Sequence, residues 1–124
     1  MRNARRVWIV LPLLLAACVG PRDDGGVEGK KRYLAAKADC EARYSRTMVQ
    51  LSDCRAEAAN IFIRPWYRYS DLMTWAQTKR RELAHKLDRR QISRAEFDRQ
   101  IVRAERDVER EENRRNQSAG LRPS

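Results

Sequence analysis

The 124-residue sequence predicts a small all-α domain: a cysteine-bearing first segment, then an antiparallel helical hairpin, carried on a flexible N-terminal tether. Three observations predict it. From Lys30 to Ile63 there is no Gly or Pro, and Ala, Arg and Glu recur, a composition that favours helix. Apolar residues return every three or four positions, the spacing of one helix face. Residues 92–97, Ile-Ser-Arg-Ala-Glu-Phe, carry the signals that open a helix.

The first apolar stripe is Tyr33, Cys40, Tyr44, Leu51, Cys54, Ala58 and Ile61. Pro65 ends it, because the proline ring pushes Arg64 out of the helical region. Ser70-Asp71 offers a fresh N-cap, and a second helix is expected to run to about Leu87. Leu72, Ala76, Leu83 and Leu87 would face inward, with Trp75 at the edge. A third helix starts at Ser93. Ser93 and Glu96 form a capping box in which each side chain accepts from the other's backbone N–H, and Ile92 and Phe97 form a hydrophobic staple. The stripe Phe97, Ile101, Ala104 and Val108 follows. Beyond it the helix continues on opposite charges three and four apart, such as Glu111 with Arg114 or Arg115. The helical domain is thus expected over residues 30–115, with 116–124 a disordered tail.

The N-terminus reads as an address. Arg2, Arg5 and Arg6 precede a nine-residue apolar run, Val7 to Leu15, too short to span a bilayer as a helix. A positive start, a short apolar run and small residues are the parts of an export signal. Leu15-Ala16-Ala17-Cys18 is similar to the lipobox of bacterial lipoproteins at all four positions. That resemblance implies removal of residues 1–17, a diacylglyceryl thioether on Cys18, and a membrane partner reached through the lipid anchor. Position 19 is Val and not the Asp that retains such proteins at the inner membrane, so the implied address is the periplasmic face of the outer membrane. The rival reading is an ordinary cut after Ala17 that leaves Cys18 a plain thiol. Residues 18–29 then form the tether, with Gly20, Gly25, Gly26, Gly29 and Pro21 leaving little to pack.

Cleavage would leave 107 residues, enough for one small domain. It would also remove three arginines from 27 basic residues, leaving 24 against 17 acidic, a net charge of +7. Basic and acidic residues are interleaved, the pattern of a solvated helical surface. An exported chain meets lipid head groups and cell-wall polymers, so no nucleic-acid partner is expected.

The stretch Leu83-Ala-His-Lys-Leu-Asp-Arg-Arg-Gln-Ile-Ser-Arg-Ala-Glu-Phe97 resembles the short C-terminal helical hairpin called the SHOCT domain. That family has a leucine-rich helix, a tight turn, then Ile-(Ser/Thr)-x-x-Glu-Phe opening a second helix. The turn usually contains Gly, where Arg89 and Arg90 stand here. The resemblance implies a structural or interaction element and carries no catalytic residues.

Once Cys18 is set aside, Cys40 and Cys54 remain as an even pair, which an oxidising compartment would join. One unbroken helix would hold them about 21 Å apart, whereas a disulfide needs Cα atoms within roughly 7 Å. The helix could break at Tyr44-Ser45-Arg46-Thr47, with Ser45 or Thr47 capping the turn. Alternatively the thiols bond a partner chain, or stay reduced as small core residues. The broken helix with an intrachain bond is the expected arrangement.

Residues 61–69 are the most apolar and aromatic part of the chain after the export signal. One reading makes them a plug that closes the end of the core. The other makes Phe62, Arg64, Trp66, Tyr67, Arg68 and Tyr69 a patch for cell-wall glycan, anionic lipid or a protein partner. His85, the only histidine, has no Cys or His at ligand spacing. No carboxylate pair, nucleophile elbow or phosphate loop is present. A non-enzymatic protein without metal or cofactor is therefore expected, acting on an envelope protein or cell-wall polymer.

Overall fold

The structure, a computed structural model, describes residues 25–122. The export signal, Cys18 and residues 19–24 lie outside the described residues. Four helices follow in chain order: α1 (Gly25–Arg43), α2 (Met48–Phe62), α3 (Ser70–Asp88) and α4 (Arg94–Ser118), with no strand among the described residues. Each helix packs only on its neighbours in sequence, α1 on α2, α2 on α3 and α3 on α4. The chain therefore forms an open antiparallel array, in which α1 and α4 are the two edges.

The break between α1 and α2 falls at Tyr44–Thr47, and the Cys40–Cys54 disulfide closes it with Cα atoms 5.8 Å apart. The cap of α2 is not the one expected. Thr47 occupies the N-cap position but its side chain makes no capping bond, and Ser45 is exposed. Instead the Asp88 carboxylate, from the last turn of α3, accepts from the backbone N–H groups of Met48 and Val49, both at 2.9 Å. An acidic group at the positive end of α2 satisfies two orphan donors and complements the helix dipole.

The tether is shorter than expected, because α1 begins at Gly25 and not at Lys30. Gly29 is a packing residue. A Cβ placed there would sit 2.3 Å from the Phe62 carbonyl oxygen and 3.2 Å from the Trp66 ring. The glycine lets the first turns of α1 lie directly on the end of α2.

At the other end, α4 continues through residues 116–118, which were expected in the tail. Gly120 takes a left-handed φ of 69°, and Gly120 N–H donates to the Gln117 carbonyl while Leu121 N–H donates to that of Asn116. This is a complete Schellman cap. The same pair of bonds ends α3, from Arg90 N–H to the Leu87 carbonyl and Gln91 N–H to that of Lys86. There the left-handed position, φ 57°, is taken by Arg90, where glycine is the relaxed choice.

The tightest core lies between α3 and α4, where Leu83, Ala84 and Phe97 are buried with Leu87, Ile92 and Ile101 packed around them, and Met48 and Val49 from the start of α2 close it. Ser93 Oγ accepts from Glu96 N–H at 3.1 Å, so half of the capping box forms. The reciprocal half does not, since the Glu96 carboxylate accepts instead from Gln100 and Arg99. Tyr69 takes the N-cap position of α3, and Ser70 is its first helical residue. Ile61, placed in the inward stripe by its spacing, is 58% exposed.

Candidate functional site

Because α1 and α4 do not meet, the array leaves a groove of about 320 Å³ between them. Its floor is largely apolar, from Ala56 and Ala59 of α2, Ile63 just past its end, and Met73 and Ala76 of α3. Tyr33 and Lys37 of α1 form one wall, and Phe97, Ile101 and Glu105 of α4 the other. Arg55 and Arg80 edge it, each paired with a carboxylate: Arg55 with Glu41, and Arg80 with Glu105 of the α4 wall at 2.7 Å. Alanines on the floor let an apolar group approach the backbone, and the charged rim would fix its orientation. Sequence periodicity could not find this groove, because it arises from the failure of the edge helices to close.

The aromatic-arginine segment is divided between two roles. Arg64 is absorbed into the fold, donating to Asn60 at 3.0 Å, the Ser70 carbonyl at 3.1 Å and Thr74 at 3.1 Å. Tyr67 donates to Glu112, and Tyr69 donates to Asn116 at 2.6 Å. The two rings meet edge to face at 6.5 Å, and the Arg115 guanidinium lies 5.3 Å over Tyr69. These contacts lock the turn between α2 and α3 onto the last turns of α4. Phe62 and Ile63 are half-buried. Of the six candidate patch residues, Trp66, 56% exposed, and Arg68 are the two left open to a ligand, with Ile61 and Pro65 exposed beside them. The segment is thus mainly a plug, with a single exposed ring.

Electrostatics reinforce the same end. Arg115 donates to both oxygens of Asp71 at 2.9 and 2.8 Å and to Glu111 at 2.8 Å. Hydrogen bonds from Arg114, and then Arg115, hold the Glu111 carboxyl down at about 2. The Arg115 hydrogen bond likewise lowers Asp71. Glu112 moves the other way, raised by burial. Ion pairs between neighbouring helices, Arg81 with Asp53 and Arg80 with Glu105, continue the lacing along the array. They account for the interleaved charge of the sequence.

His85 lies in the last turn of α3, away from the groove lining. Among the described residues, no group of three or more His, Cys, Asp or Glu side chains is placed to hold a metal ion. Among the same residues, no helix is long and apolar enough to cross a membrane. Comparison with protein-family models, with curated proteins and with solved structures finds no match in any of the three.

Proposed function

We propose that this chain is a lipid-anchored protein of the bacterial cell envelope, working by protein interaction and not by catalysis. The observation that carries the reading is Leu15-Ala16-Ala17-Cys18, placed directly behind a positive start and a short apolar run. The Cys40–Cys54 bond supports it from a second direction, since disulfides persist in exported proteins and are rare in a reducing cytosol. Lipidation of Cys18 and the Val at position 19 direct the protein to the periplasmic face of the outer membrane. The interaction role rests on the groove between α1 and α4, whose apolar floor and charged rim suit a segment of an envelope protein. The resemblance of α3–α4 to a SHOCT hairpin points to the same kind of role.

The alternative, a cell-wall glycan module built on residues 61–69, is less favoured. Two of its four aromatic rings have their hydroxyls tied to α4 and Phe62 is half-buried, so no broad stacking platform remains. Mass spectrometry of the protein purified from a bacterial membrane tests the anchor. The expected first residue is Cys18 bearing a diacylglyceryl group, absent in Cys18→Ala. An N-terminus at Met1, or a bare Cys18 thiol, would refute the anchor. Crosslinking in cells from the groove wall, at Lys37 or Ile101, should then recover one envelope protein. Recovery of none refutes the interaction role.

A further inference from the structure

The outward face of α1 has no partner in the fold. Helical geometry puts Gly29, Tyr33, Ala36 and Cys40 on one side, toward α2, and Val27, Lys31, Leu34 and Ala38 on the other. All four outward residues are exposed, Val27 to 73% and Leu34 to 52%, and Lys30 stands beside them. Among the described residues, neither Lys30 nor Lys31 enters any ion pair that α1 makes, those being Arg32 with Glu28, Lys37 and Arg55 with Glu41, and Arg43 with Asp39. Two large apolar side chains flanked by two lysines outside those ion pairs are the makings of an interfacial helix face.

Chain length determines what can cover this face. Seven peptide units separate Cys18 from Gly25, a reach of at most about 25 Å even if fully extended. On the anchor reading above, on which this inference rests, the first turn of α1 is therefore held close to the bilayer that carries the lipid. We propose that the outward face of α1 lies on an anionic phospholipid surface, with Val27 and Leu34 entering the head-group boundary and Lys30 and Lys31 contacting the lipid phosphates. The lipid then supplies attachment, and the helix face sets orientation, turning the groove between α1 and α4 to a fixed angle above the membrane.

Lysine footprinting tests this on the processed protein reconstituted into vesicles of phosphatidylcholine with or without phosphatidylglycerol. Acetylation of Lys30 and Lys31 should slow at least fivefold on the phosphatidylglycerol vesicles, while Lys79 and Lys86 of α3 keep their rates. The double substitution Val27→Asp/Leu34→Asp should abolish the shielding and leave helicity and the disulfide intact, because both positions are exposed. Raising salt should weaken it, since head-group attraction is screened. A lipidated protein whose Lys30 and Lys31 react equally fast on both vesicles overturns the face and spares the anchor. An unlipidated protein that anionic vesicles still shield overturns the anchor and spares the face. Concentration-dependent shielding without vesicles would assign the face to a second copy of the chain and overturn the proposal.

Discussion

The two hairpins of this chain are each a pair of helices joined by a short turn, and they are held together by different means. α1 and α2 meet mainly through small residues: among the described residues of α1, only Gly29 and Cys40 are buried outright, and α2 adds Ala58 and one larger side chain, Leu51. Such a face allows close approach but removes little apolar area from water, and a covalent bond stands where a core would otherwise be. α3 and α4 bury Leu72, Leu83, Ala84, Phe97 and Ala104, and add a helix cap, a staple and cross-helix ion pairs. A short chain can thus reach a stable four-helix array with one packed hairpin and one stapled one. The stapled hairpin is therefore expected to respond to reductant more than the packed one.

Substitutions should separate the two. The largest effect is expected from Leu83→Ala, which hollows the only fully buried large side chain among the described residues. It should cost roughly 3–5 kcal/mol, read as a lowered denaturant midpoint, and exposure of the α3–α4 core to a hydrophobic dye should accompany it. Next, Cys40→Ser with Cys54→Ser should cost about 3 kcal/mol for a loop of this size. Reductant should reproduce that loss in the parent protein and have no effect on the double variant. Asp88→Ala should cost about 1 kcal/mol, because the Met48 and Val49 N–H groups lose their acceptor. This loss should fall on α2, although the substitution is in α3, and backbone amide shifts in α2 would reveal it.

A gain is expected at Arg90. Arg90→Gly relaxes the left-handed cap of α3 and should raise stability by roughly 0.5–1 kcal/mol, measured as an increased melting temperature. The smallest effect concerns acid. Glu111, Asp71, Glu96 and Glu82 all have their carboxyls lowered by hydrogen bonds from basic neighbours. A folded value below the unfolded one stabilises above the unfolded value and is lost as pH falls through the folded value. For Glu111 that window runs from 4.5 down to about 2. Glu112, raised by burial, works in the opposite sense. Melting temperature should therefore fall modestly between pH 5 and pH 2.5, less so in Glu111→Gln and less at high salt, which screens these exposed pairs.

Much of this array was legible in the sequence. The break at Tyr44–Thr47 and the pairing of Cys40 with Cys54 follow from the conflict between one straight helix and a disulfide, whereas the start of α4 behind Ser93 follows from rules acting over a few residues. So do most inward positions, among them Cys40, Leu51, Leu72, Leu83, Phe97 and Ala104. What was not legible depends on residues distant in sequence. Asp88 caps a helix forty residues before it. Gly29 looks like linker until the Phe62 carbonyl is placed against it. Asn116 belongs to a helix because Tyr69 donates to it across the array. Tyr67 and Tyr69 read equally well as patch or plug, and only Glu112 and Asn116, more than forty residues on, decide between them. The groove was invisible for a related reason: periodicity assigns each helix an inward face but does not say whether the outer helices close.

The central claim is that the first hairpin is secured by its disulfide and the second by its core. Native-state hydrogen exchange on the intact protein, run with and without reductant, tests it most directly. The account predicts that reduction accelerates exchange in α1 by roughly 100-fold, the equivalent of about 3 kcal/mol, and leaves the central amides of α3 and α4 near their oxidised rates. Equal acceleration in all four helices, or none in α1, would contradict it.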